Sequence, residues 1–391
     1  MRRTIALPAL LAFLAFPACR RSAPGRVVVA DSAGVRVTVT TPDDRRVSAL
    51  DTVPLLSLGG PDAAGPTQFS NVQGVHLDAA GRLWVADGGS REVRIFGTDG
   101  SHRKTVGGPG AGPGEFRALR FLGAFRGDSV ALWDARNPRL TVLDADGDVV
   151  RTALPPGSDA PTPVAHGVFP DGTLLAQVPR VVPAAALQRG ALLPDTVRLI
   201  RWDPGTGTWR PLATVPGPVW LWTGRSQVPV PFTANPGYDV RGDTLFLASG
   251  PAYRVRVYQA GRLRAEYGVA RPPRRVEDDD VAAYRSFVER YVPAGPLRTD
   301  YLGALDNPAR PDVLPAYARI LAADDGRIWA RRFTADPLAA ATWDVYARNG
   351  EWKGAVKMPH GFAAMAISAN RVAGVWRDSL DVEYVRLYRQ P

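Results

Sequence analysis

The residue types best able to hold a metal are few and scattered. The chain has four histidines, His76, His102, His166 and His360, and a zinc site needs several imidazoles converging on one point. His76, His166 and His360 fall on or near short apolar segments in separate parts of the chain, at different positions relative to the turn that follows. Side chains alternate along a strand, so those positions do not aim all three at one point. Asn71 and Asn235 offer the neutral oxygens that calcium accepts, without carboxylate partners at a repeated spacing. No metal and no cofactor are expected.

Charged groups recur with more regularity. Asp87, Arg91, Asp134, Arg136, Arg331, Arg377 and Asp378 lie at the ends of short apolar runs or a few residues beyond. An Asp closing a strand with an Arg nearby stabilises a loop or meets a ligand, and is not by itself a catalytic dyad. These are candidate binding residues at the mouth of a central channel, and no residue is assigned a catalytic role. Trp220, Trp222 and Phe232 stand in a Pro-rich stretch that reads as a loop, a composition suited to gripping a glycan, peptide or partner surface. Packing between neighbouring sheets is the alternative for them. The phosphate-binding Gly-x-x-x-x-Gly-Lys-Ser/Thr loop, the Gly-x-Ser-x-Gly elbow and cysteine clusters are absent.

The single cysteine has a place of its own. Residues 1–19 read as a targeting signal, with Arg2 and Arg3 at its basic start, a short apolar run from Ile5 to Phe16, and small residues after it. Phe16-Pro17-Ala18-Cys19 resembles the lipobox of bacterial lipoproteins, with Phe16 where Leu is usual. The resemblance implies lipidation of Cys19 and a protein held at the bacterial envelope, periplasmic or on the outer-membrane surface. Plain secretion with cleavage near Ala18, an uncleaved anchor, and an incidental cysteine after an ordinary signal are the alternatives. Membrane contact is expected through the lipid alone, because no other stretch approaches the roughly 20 apolar residues of a spanning helix.

The formal charge is +10, yet Lys104, Lys353 and Lys357 are the only lysines and the remaining cations are arginines spread along the chain. A nucleic-acid footprint would cluster them on one element, so no nucleic-acid partner is expected.

Two segments align almost letter for letter: Leu58-Gly-Gly-Pro-Asp-Ala-Ala-Gly-Pro-Thr-Gln-Phe69 and Val106-Gly-Gly-Pro-Gly-Ala-Gly-Pro-Gly-Glu-Phe116. Their Phe residues are 47 positions apart, a period of repeat architectures. After Phe69 come an apolar strand from Val72 to Leu77, a turn, and a strand from Arg82 to Ala86 closed by Asp87. That second strand recurs at Ser129 to Trp133, Thr173 to Gln177, Thr244 to Ala248, Arg327 to Ala330 and Arg371 to Trp376, making six copies. A third strand follows each, and a fourth follows the first five. The unpaired segment Thr52 to Leu58 ahead of the first copy is expected to complete the last, which removes the exposed sheet edge.

Gly81-Arg-Leu-Trp-Val-Ala-Asp87, then Arg94-Ile-Phe and the Gly-Pro-Gly-Glu-Phe116 turn, resemble the NHL-repeat family of six-bladed β-propellers. The expected fold is all-β: a six-bladed β-propeller of four-stranded blades over residues 52–391, the N-terminal strand closing the last blade, with one short helical insertion. A tether and hairpin are expected over residues 20–51. Insertions are expected at about 179–195, 217–236 and 269–313, and the last should hold a helix. Asp278 to Asp280 would cap that helix, Val281, Tyr284, Phe287, Val288 and Tyr291 would share one side, and Pro293 would stop it.

Within the resembled family, amidating lyases would need a histidine-bound zinc, and lactonase-type propellers would need calcium held by carboxylates and Asn. The inner strands read as mostly apolar or neutral, which argues against the second. The expected function is a non-catalytic, monomeric, envelope-anchored binding or scaffold propeller for a protein, peptide or carbohydrate. A propeller hydrolase or lyase with a channel metal is the alternative.

Overall fold

A computed structural model describes residues 24–157, 161–368 and 370–391. The expected signal segment 1–19 and Cys19 lie outside the described residues. The chain is mostly β, and the described strands fall into six sheets, an arrangement consistent with a β-propeller.

Each sheet starts with an inner strand whose second edge has no strand partner: Val72–Leu77, Leu119–Ala124, Val164–Val168, Gly237–Arg241, Tyr317–Ala322 and Phe362–Ile367. These inner strands touch one another in chain order, and the last touches the first. The chain therefore runs around a ring, building each sheet outward before starting the next.

The core is distributed between adjacent sheets rather than gathered at one centre. Trp84, Ile95, Leu119 and Leu132 are buried between the first and second sheets. Leu58, Val75, Phe96 and Val385 are buried between the sixth and first. Strands covered on both faces become continuous apolar runs, as in Leu83–Asp87 and Val130–Asp134, in which every residue is buried. Glycines let inner strands approach closely. A Cβ on Gly74 would stand 2.4 Å from Cβ of Phe121, and one on Gly237 would stand 2.9 Å from Cα of Arg319.

The repeated Gly-Gly pair turns the outermost strand back towards the next inner strand. Gly59 and Gly60 have φ of 100° and 129°, and Gly107 and Gly108 have φ of 99° and 145°. L residues rarely adopt that left-handed backbone, which accounts for the motif.

The segment ahead of the first sheet joins the last one: Leu56–Gly59 pairs antiparallel with Glu383–Arg389, Leu58 opposite Val385.

Not every sheet has the four strands expected. The hairpin Val27–Ser32 and Val35–Thr40 adds to the fourth sheet, parallel to Arg262–Val269. Val47–Ala49 adds to the fifth, parallel to Trp352–Lys357. Both additions occupy outer-strand backbone groups that would otherwise be free edges, and the Trp352 N–H also donates to Thr40 Oγ1 at 3.0 Å. In the third sheet the long strands Leu192–Trp202 and Trp209–Trp222 pair along almost their whole length, and Gln227–Pro229 adds a fifth strand beside the end of the second.

The expected single helix is one of two, α1 (Asp278–Tyr291) and α2 (Pro296–Leu305). Glu277 is the residue that starts α1, with a reciprocal capping box to Asp280. The neck of this insertion is closed by the Val276 N–H on the Asp312 carbonyl and the Leu314 N–H on the Arg274 carbonyl, each at 2.9 Å. The second helix is only ten residues long, too short for its apolar positions to stand out from the loop around it; Gly295 and Pro296 at its start are the local signal.

Candidate functional site

The acids at the strand ends are committed to the backbone. Asp87 accepts hydrogen bonds from the N–H groups of Ser70, Gly89 and Ser90, and Arg94 stands 3.5 Å away. Asp134 does the same for Arg117, Ala118, Arg136 and Asn137. Both carboxylates are buried and tie the second strand to the loop leading into its own inner strand.

The other charged candidates are equally occupied or stand apart. Arg91 is half-buried with φ of 63°, and its carbonyl accepts from Gly108. Arg136 is exposed. Arg331 donates to Thr334 Oγ1 and to the Pro337 carbonyl. Arg377 pairs with Glu383, and Asp378 accepts from the Leu380 and Val382 N–H groups.

Trp220 and Trp222 stand on the extended strand Trp209–Trp222, not in a loop, and are half-buried. Phe232 is buried, edge-on to Tyr284 of α1 at 5.8 Å and to Phe333 at 6.2 Å. Phe232 thus helps seat the helical insertion on the sheets, packed with Val281, Tyr284, Leu305 and Leu314.

A cavity of about 440 Å³ occupies the channel. Its wall runs from Gln73, early in the first inner strand, to Arg126, Pro170 and Gly242 in the turns after inner strands. None of Asp87, Arg91, Asp134, Arg136, Arg331, Arg377 or Asp378 lines it. The reason is strand direction. Inner and second strands are antiparallel, so Asp87 lies beside Val72 and Asp134 beside Leu119, at the start of the inner strands. The cavity reaches furthest along their other ends. Arg377 instead lines a separate notch with Phe69, Asn71 and Glu383.

Two of the histidines meet at the cavity, as His76 and His166 both line it. The alternation argument fails here because inner strands are bulged. Pairing skips a residue at Gln73, Leu122, His166, Ala318 and Met365, and a bulge re-aims the side chains around it. His76 stacks on Phe121 at 6.0 Å and His166 meets Tyr238 edge-on at 5.2 Å. His360 is exposed, outside the inner strand, and its carbonyl accepts from Trp376 Nε1. Among the described residues no group of three or more His, Cys, Asp or Glu is placed to hold a metal ion.

Burial dominates the electrostatics. It lowers His76 to about 4, against the raising pull of Asp78 and Asp128, and lowers His166 to about 4. It raises Tyr238 to about 12 and Asp239 to about 6. It also lowers Arg319, which Asp239 partly restores. At neutral pH the cavity thus presents neutral imidazoles and phenol beside an ionised Asp239 and the guanidinium groups of Arg126, Arg241 and Arg319.

Asp239, Arg241 and Arg319 were missed by the expectation of neutral inner strands. The signal was available: each is a charged residue inside a short run of apolar or aromatic ones, in Tyr-Asp-Val-Arg and Ala-Arg-Ile-Leu.

No protein-family model matches this chain. Over 45 residues it is 42% identical to NHL repeat-containing protein 3 of Homo sapiens, a match spanning 12% of this chain and 13% of that protein. Similar solved structures include a member of the DUF4221 family from Bacteroides vulgatus, with 10% identity, TM-score 0.47, and 87% and 98% of the two chains covered. A gluconolactonase from Xanthomonas campestris has 13% identity, TM-score 0.44 and coverage of 88% and 97%. Virginiamycin B lyase from Staphylococcus aureus has 11% identity, TM-score 0.39 and coverage of 85% and 98%.

Among the described residues no helix is long and apolar enough to cross a membrane.

Proposed function

We propose that this chain is a six-bladed β-propeller of the NHL-repeat type that acts at the bacterial envelope as a monomeric, non-catalytic binding protein for a protein, peptide or carbohydrate ligand. The observation that carries this reading is the channel cavity and the state of its titratable groups. A general acid or base works best with a pKa near the working pH, whereas His76 and His166 are held at about 4 and Tyr238 at about 12. Asp239 is nearest to neutrality, but the Val240 and Ala322 N–H groups donate to its oxygens, each at 2.8 Å. Such groups recognise a ligand by hydrogen bonds and charge more readily than they move a proton.

The test is equilibrium binding of the purified domain, residues 24–391, to peptide and glycan arrays, each hit then incubated with the protein and followed by NMR. Binding without change of the ligand supports the reading. Conversion of a hit to product overturns it in favour of a propeller hydrolase or lyase, the reading favoured by two histidines facing one cavity. For anchoring, Cys19 should take up a clickable fatty acid in cells, and undiminished labelling of Cys19→Ser would remove that assignment. Light scattering of the same domain checks that it is a monomer.

A further inference from the structure

Among the described residues several arginines packed against the sheets have a carboxylate, while the buried Arg139 donates to the Ala111 and Glu115 carbonyls instead. Arg82 meets Asp78 at 2.6 Å, Arg94 meets Glu92 at 2.8 Å, Arg201 meets Asp171 at 2.6 Å, and Arg271 and Arg332 share Asp344 at 3.1 and 2.8 Å. Arg319 differs. It stands on the inner strand Tyr317–Ala322 and lines the channel cavity, and among the described residues its guanidinium has no ion pair and no hydrogen bond. The acid whose field reaches it is Asp239, and the backbone N–H groups of Val240 and Ala322 already occupy that carboxylate.

Two further cations share the wall. Arg126 donates to the Pro170 carbonyl, and Arg241 is exposed without an ion pair among the described residues. The acids on the wall are Asp239 and Asp324, so guanidinium groups outnumber carboxylates while both histidines are neutral. A guanidinium presents several N–H donors in one plane, a geometry matched by a carboxylate that accepts two parallel hydrogen bonds. A cavity of about 440 Å³ falls in the range of small-molecule pockets.

We propose that the channel cavity is a binding site for a small organic acid, whose carboxylate is held by Arg319 with Arg241 and Arg126 adding positive potential. This rests on the binding reading above and narrows its ligand to carboxylate-bearing small molecules, whether simple acids or acid sugars.

The test is calorimetric titration of residues 24–391 with galacturonate, galactose and succinate. Galacturonate should bind and neutral galactose should not. Succinate binding alongside galacturonate would show that the carboxylate suffices, and its failure to bind would assign the site to an acid sugar. Arg319→Gln should weaken binding by about 10- to 100-fold, Arg319→Lys should weaken it less, and the exposed Arg45→Gln should leave it unchanged. An unaltered near-ultraviolet circular dichroism spectrum checks that each variant is folded. The proposal is overturned if neither acid binds, if galactose binds as well as galacturonate, or if folded Arg319→Gln binds as tightly as the parent. Those results leave a binding role for other ligands standing. Chemical conversion of either acid, read by NMR in the same samples, would instead overturn the non-catalytic reading.

Discussion

Asp344 shows what a charge costs when it is built into the interior. Its side chain is fully buried and takes hydrogen bonds from Arg271, Arg332, Trp352 Nε1 and the Tyr317 hydroxyl, at 3.1, 2.8, 2.7 and 3.0 Å. Removing it strands two guanidinium groups, so Asp344→Ala should cost about 3–5 kcal/mol in urea unfolding. Asp312→Ala breaks the exposed Arg275 pair, at 3.1 Å with both side chains about four-fifths exposed, and should cost under about 1 kcal/mol. Equal costs would refute the difference drawn between the two sites. Asp239 gives a prediction in pH. Burial raises it from an ordinary 3.8 to about 6, with Arg319 and Arg241 pulling it down. Its carboxylate is therefore ionised above that value and opposes a bound acid. Galacturonate binding should tighten as pH falls through about 6, where His166 at about 4 and Tyr238 at about 12 stay neutral. Titration calorimetry across that window checks it, and Asp239→Asn should flatten the profile. The stability contribution has the corresponding sign. The folded state holds this proton more tightly, so the fold loses stability as pH rises from about 4 to about 6.

At the level of elements, the helical insertion is pinned at both ends. Asp300 of α2 binds Arg225 at 2.9 and 2.8 Å, Ser226 Oγ at 2.7 Å and Thr223 Oγ1 at 3.0 Å. α1 packs Val281 and Tyr284 against Phe232, Leu305 and Leu314. The hydrogen bond from Arg225, with those from Ser226 and Thr223, lowers Asp300 to about 2. A carboxyl lowered below its ordinary 3.8 stabilises the fold above about pH 4, and that support is lost as pH falls through about 2. Amide exchange in Pro296–Leu305 should therefore accelerate in acid, and Asp300→Ala should accelerate it about tenfold at neutral pH. Exchange unchanged in both cases would show that apolar packing alone holds α2. The α1 helix was readable because Val281, Tyr284 and Val288 recur at helical spacing beside an acidic start. Strand repeats were readable where glycine and Phe mark them, as at Gly107 and Phe116. What the pattern concealed was the bulge at His166, which adds a residue without changing composition, and the pairing of Val35–Thr40 with Arg262–Val269. Neither partner of that parallel pair carries a mark of the other, since edge pairing is chosen by backbone groups common to all residues.

At the scale of the whole molecule, the ring places a special burden on one short strand. Leu56–Gly59 is the outermost member of a sheet whose other strands come from the opposite end of the sequence, with Ser57 opposite Arg386 and Leu56 opposite Leu387. The added hairpin and the added strand Val47–Ala49 stand differently. Val27–Ser32 is exposed along its length, and Val47–Ala49 covers an edge of a sheet already four strands wide. Two truncations separate the contributions. A chain beginning at Leu55 loses both added elements, including the Trp352 bond to Thr40, yet keeps the closing strand, and should remain folded with a lowered melting temperature. A chain beginning at Gly60 also loses Leu58 from the core between the sixth and first sheets, and leaves Glu383–Arg389 as an open edge. It should melt at a much lower temperature than the chain beginning at Leu55 and should aggregate, because an apolar edge strand recruits another chain. Scanning calorimetry with light scattering reads both quantities. Equal melting temperatures for the two truncations would mean that the ring is held by packing between sheets alone, and that pairing across the chain ends is dispensable.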